Sequence, residues 1–131
     1  MEVGIVGLPV SGKTTLFATL TGQTAQAHQQ RGGKLEVHRG IVKVPDERLD
    51  KLTEIYQPKK KVPATIEYIE VGGMDRETAQ TSGFDPQFLQ VLKNTDALCV
   101  VIGAFANEYH PHPSGSIDIQ RDIQTVESEF L

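Results

Sequence analysis

The sequence predicts an open, mainly parallel α/β sheet with helices on both faces. Two observations carry this. Short apolar strand-like runs interleave with segments of helical periodicity, and the first strand passes through a glycine-rich turn into a helix without a gap. Val3, Ile5 and Val6 form a nearly continuous apolar run that ends at Gly7, the pattern of a buried parallel strand. From Lys13 to Thr21, Leu16, Phe17 and Leu20 share one helical face. Residues 22–33 are rich in Gln, Ala, Thr and Gly, lack large apolar residues and read as a mobile loop.

A second strand is expected over roughly residues 34–44, on Leu35, Val37, Ile41, Val42 and Val44. Asp46 is placed to cap a helix carrying Leu49, Leu52 and Ile55, which stops before Pro58. Ala64 to Val71 reads as a third strand leading into Gly72-Gly73. Asp85-Pro86 has the form of an N-cap followed by proline in the first turn, opening a helix with Phe88, Leu89 and Leu92. Ala97 to Phe105 is the most apolar run and is expected to be a central strand. After a loop with His110, His112 and Ser114, a last helix aligns Ile119, Ile123, Val126 and Phe130, with Ser114 able to cap it. A sheet of about four strands is small for this class. With the chain closing in a helix at Phe130-Leu131, the sequence reads as one truncated domain, residues 1–131, from the N-terminal part of a longer protein.

Composition narrows the class. With 131 residues, 38% of them hydrophobic, the chain suits one domain with one core. A net charge of −4 gives no global attraction to nucleic acid or an anionic membrane, so direct DNA binding is not expected. Lys59-Lys60-Lys61 is the local exception and reads as a solvated surface loop in preference to an RNA contact. The lone Cys99 can form no internal disulfide and, inside an apolar run, is expected to be a small buried hydrophobe. No stretch approaches the ~20 apolar residues of a membrane span, and no signal peptide precedes the first strand. The expectation is a cytoplasmic protein.

Gly7-Leu8-Pro9-Val10-Ser11-Gly12-Lys13-Thr14 meets G-x-x-x-x-G-K-[ST] at every defined position. The glycines let the backbone curl so that successive N–H groups point at phosphate oxygens. Lys13 supplies a mobile cation for the β- and γ-phosphates, and Thr14 offers a hydroxyl to Mg²⁺. The following helix, through Thr15, adds its positive end to the same anion. Chance would produce such a match in roughly one chain in a hundred of this length, and the strand–loop–helix context makes it rarer. ATP or GTP with Mg²⁺ is the expected ligand, held by residues 7–15, with Lys13 also acting on the transferring phosphoryl.

Taken together, G-I-V-G-L-P, G-K-T-T-L-F and V-P-D-E-R-L-D-K-L, the last spanning Val44 to Leu52, resemble the Obg-like ATPase family of YchF type. The resemblance also takes in Gln87-Phe88-Leu89, Thr95-Asp96-Ala97 and Ser114-Gly115. It implies a phosphate-loop domain that hydrolyses ATP or GTP, associates with ribosomes and continues into a coiled-coil insertion. The base-reading motif and a small ubiquitin-like domain come later in that family. Asn107-Glu108 follows the fourth strand and is read as loop, not as that motif.

Carried over residue by residue, the resemblance places Glu70 at the family's metal-side aspartate, so Thr14 and Glu70 are the expected metal ligands. Gly73 matches the glycine whose N–H meets the γ-phosphate. Met74 agrees with the family's apolar residue where many GTPases carry a water-positioning glutamine. Two departures bear on turnover. Glu70 is one methylene longer than aspartate, and Lys34 falls where a switch threonine is expected, although lysine has no oxygen to offer a metal. Thr21 and Thr24 are weak substitutes. Val10-Ser11 replaces the usual Asn-Val pair, altering the wall of the loop but not its cradle. Hydrolysis is therefore less supported than binding, and a nucleotide-sensing module without useful turnover is the alternative. The proline-flanked His110 and His112 are read as structural or solvated, and Glu36 and Arg39 as surface residues.

Overall fold

The computed structural model describes residues 1–23, 36–72 and 86–130. Their elements are β1 (Glu2–Val6), α1 (Lys13–Thr21), β2 (Glu36–Lys43), α2 (Glu47–Tyr56), β3 (Thr65–Gly72), α3 (Pro86–Leu92), β4 (Ala97–Val100) and α4 (Ile119–Phe130). Among the described residues the strands form one sheet in the order β2-β3-β1-β4. β1 is parallel to both β3 and β4, while β2 is antiparallel to β3. The antiparallel pair arises because residues 44–64 make no crossover. Val44 N–H donates to the Ala64 carbonyl at 2.8 Å, closing the ladder, and α2 sits at the tip of what is a long hairpin.

The strand period of two sorts the core into two faces. Gly4 is registered with Ile69 and Leu98, and on that face Val6, Ile69 and Val71 pack with Phe88 and Leu92 of α3 and Val126 of α4. On the other face α1 lies over the sheet, with Phe17 fully buried. Gly40 of β2 permits this approach, since a Cβ there would sit 2.3 Å from the Thr21 methyl. Each fully buried aromatic contributes about 1.5–3 kcal/mol relative to exposure. Helices thus cover both faces, as the sequence predicts.

Three expectations are corrected. Ala97 to Phe105 is not a central strand: β4 stops at Val100 and lies at the sheet edge, with Leu98 and Val100 exposed. Its neighbour β1 ends at Val6, so the last register pair is Val6 with Val100 and the ladder has nothing further to pair with. Cys99 is accordingly only half-buried. Ser114 does not cap the last helix: the Asp118 carboxylate accepts from Arg121 N–H at 3.1 Å and fills that role. Asp46 does cap α2, accepting from Arg48 N–H at 3.0 Å. The expected cap at Asp85 and the loop over residues 24–33 lie outside the described residues.

Candidate nucleotide-phosphate site

The site lies where β1 gives way to α1 at the C-terminal ends of the parallel strands, the usual ligand crevice of an open α/β sheet. Gly7 is obligatory for steric reasons: a Cβ would fall 2.2 Å from the Val101 carbonyl oxygen. Gly12 takes a left-handed conformation, φ 96°, as the N-cap of α1. No side chain caps that helix end. The N–H groups of its first turn, at Lys13, Thr14 and Thr15, are therefore left to an anion. Leu8, Pro9, Val10 and Ser11 form the wall of the loop between the two glycines.

Val10 is also left-handed, φ 65°, a conformation unfavourable for a β-branched residue. The cradle keeps its shape at the cost of local strain. Val10→Asn should relieve it and raise unfolding stability by about 1 kcal/mol, read as a higher urea midpoint at unchanged slope. A lower midpoint would mean the Val10 side chain contributes more than its backbone loses.

Lys13 and Glu70 face the same space. Lys13 Nζ donates to the Leu8 carbonyl at 2.8 Å, folded back over the loop. Burial lowers its pKa to about 8, with the charge of Glu70 opposing that shift. The Thr14 hydroxyl donates a hydrogen bond to Glu70 Oε1. Glu70 is buried, and its Oε2 has no hydrogen-bond partner among the described residues. A buried carboxylate oxygen without a partner is expensive. Beside a hydroxyl oxygen it forms a hard donor pair, which fits Mg²⁺. The structure brings Thr14 and Glu70 together across 56 residues of sequence. Gly73, Lys34, Met74 and Thr24 lie outside the described residues. Thr21 is committed elsewhere, its hydroxyl donating to the Phe17 carbonyl at 2.8 Å.

Sequence reasoning missed the brace behind the loop. After β4 the chain passes the loop at Gly103, where a Cβ would lie 3.3 Å from Ser11 Cα. His112 Nδ1 accepts from Ser114 N–H at 3.1 Å, so Nε2 carries the proton that meets Asp122 Oδ2 at 2.7 Å. Asp122, buried on α4, is also held by Arg121 at 3.0 Å. With Leu8, Pro9 and Ser11, these two side chains line a small cavity behind the loop. His112 is thus structural, as read, while Asp122 escaped notice. Its signal was available: it sits three residues after Ile119 and four before Val126, an acid on the apolar stripe of α4. Phe105 was missed too; half of its surface is exposed and its ring would lie 3.9 Å from a Cβ on Gly12. Asn107 is confirmed as loop, its side-chain oxygen accepting from Tyr109 N–H at 3.0 Å. Arg39 is a surface residue, paired with Glu67 at 3.3 Å.

Comparison with known proteins places the chain in a family. The model of the 50S ribosome-binding GTPase family matches residues 2–129. The chain belongs to that family. The YchF-type resemblance is borne out by individual relatives. Over 131 residues it is 37% identical to a Bacillus subtilis protein named "Ribosome-binding ATPase YchF", covering all of this chain and 36% of that protein. An Escherichia coli O157:H7 protein of the same name is 36% identical over 98% of the chain and 36% of its own length. The solved structure of the Schizosaccharomyces pombe YchF GTPase superposes with a TM-score of 0.62 at 29% identity, over 98% of this chain and 34% of that one. The chain therefore spans about a third of the length of the relatives it matches. Among the described residues, no helix is long and apolar enough to cross a membrane.

Proposed function

We propose that the chain is the phosphate-binding part of a cytoplasmic, ribosome-associated NTPase that binds ATP or GTP with Mg²⁺ and hydrolyses the γ-phosphate slowly. The observation that carries this is the Thr14–Glu70 pair with its unsatisfied carboxylate oxygen, set beside an uncapped helix terminus. Thr14 and Glu70 would hold the metal, which when bound offsets charge on the phosphate oxygens. Lys13 would leave the Leu8 carbonyl for the phosphates. Together with the loop N–H groups, and Gly73 N–H as the family pattern implies, it would draw charge off the transferring phosphoryl. Catalysis on this reading is positioning plus electrostatics. Ribosome association rests on the names of the relatives. The remaining two thirds of those relatives' length would supply the base-reading motif, residues 1–131 being part of the domain.

Lys34 at the expected switch threonine favours a second reading, a nucleotide sensor without useful turnover. A phosphate-release assay separates the two. Slow turnover that rises when Lys34→Thr is combined with Glu70→Asp supports the hydrolytic reading. No release from either protein supports the sensor. Wild-type turnover already above ~1 per second, the range of activated NTPases, contradicts the assignment of both positions.

A further inference from the structure

The V-P-D-E-R-L-D-K-L segment carries part of the family resemblance, yet the phosphate site uses none of it. It forms the start of α2, and none of that helix's ten residues is buried. A helix this short is marginal alone. It is nevertheless capped at both ends, by Asp46 and by the Gln57 N–H donating to the Thr53 carbonyl, and Lys61 ties the following linker to Asp50. The fold thus maintains a helix from which the core gains little.

Its surface is sorted into stripes. Leu49 and Thr53 face the body and are half-buried. Leu52, Ile55 and Tyr56, spaced i, i+3, i+4 on one face, are exposed to 52%, 70% and 74%. Single exposed apolar residues are ordinary, but three in one stripe mark a contact surface. Lys51 lies one turn before Ile55, and Lys59 and Lys60 lie just beyond the helix end. All three are exposed and have no ion-pair partner among the described residues. The acids Glu47, Asp50 and Glu54 line a different stripe.

We infer that the Leu52–Ile55–Tyr56 face of α2 docks an acidic amphipathic helix of a partner protein. An apolar stripe with a basic edge and end matches a helix with an apolar stripe bordered by Glu or Asp. A second copy of this chain fits less well, because it would bring its own Lys51, Lys59 and Lys60 against the same charges. RNA would satisfy the lysines but leave the apolar stripe without a complement.

The test uses the 131-residue chain and two fluorescent synthetic peptides of about five helical turns, identical in their leucine stripe and carrying Glu or Lys elsewhere. The Glu peptide should bind at least about tenfold tighter than the Lys peptide. Leu52→Ser with Ile55→Ser should weaken it by about tenfold or more at an unchanged thermal midpoint. Lys51→Glu with Lys59→Glu, which removes no packing, should abolish or reverse the preference. Equal binding of the two peptides, or binding indifferent to both double variants, overturns the inference. So does self-association of the wild-type chain that Leu52→Ser with Ile55→Ser abolishes, or an RNA duplex bound in preference to either peptide.

Discussion

Lys13→Ala should weaken ATP binding by about ten- to a hundredfold, the equivalent of ~1.5–3 kcal/mol for one charge-assisted contact. The pH dependence sharpens the test. In the free chain burial lowers the Lys13 pKa to about 8, so the side chain is cationic at pH 7 and loses its proton as pH rises past 8. Phosphates favour the charged form, so binding above that pH must take up a proton. Affinity should therefore fall by up to about tenfold per pH unit above 8. Calorimetry in buffers of different ionisation enthalpy should register uptake near one proton at pH ~9. Lys13→Ala should remove that uptake together with the affinity. A mutant of wild-type affinity, or a wild type whose proton uptake survives the mutation, would show that Lys13 does not meet the phosphates.

Glu70→Gln should have the second large effect. It keeps the shape of the side chain and the acceptor for the Thr14 hydroxyl, but removes the charge. Mg²⁺ enhancement of nucleotide affinity should shrink by about tenfold or more, the scale of a lost charge-assisted contact. Glu70 also raises the Lys13 pKa against the pull of burial, so the fall of affinity with pH should begin at lower pH in this variant. Titrations with Mg²⁺ and with EDTA across a pH series read both effects. Mg²⁺ enhancement equal to wild type would remove Glu70 from the metal site.

Much of this arrangement is legible in the sequence because its causes are local. The phosphate loop needs Gly7 and Gly12, the helix begins at Lys13, and Thr21-Gly22 ends it, with Gly22 left-handed. Asp46 caps its helix where a capping residue is expected. The misses are non-local. The Ala97 to Phe105 run is uniformly apolar, but strand length depends on where the neighbour stops, and β1 turns away after Val6. The apolar face of α2 looks like a core face by periodicity, which reports that a stripe exists and not what covers it. Asp122 was overlooked because His112, which lies on the loop after β4, meets it only once that loop folds back onto the last helix. The Thr14–Glu70 contact was legible only through resemblance, since spacing carries no information across 56 residues.

The central claim is that residues 7–15 hold nucleotide phosphates without reading the base. Calorimetric titration of ATP, GTP and adenosine into the 131-residue chain with Mg²⁺ tests it most directly. ATP and GTP should bind with modest affinities within about a factor of ten of each other, a gap of ~1.4 kcal/mol, and adenosine should give no binding heat. Adenosine binding as well as ATP, or a preference between ATP and GTP far beyond tenfold, would contradict a site built on phosphates alone.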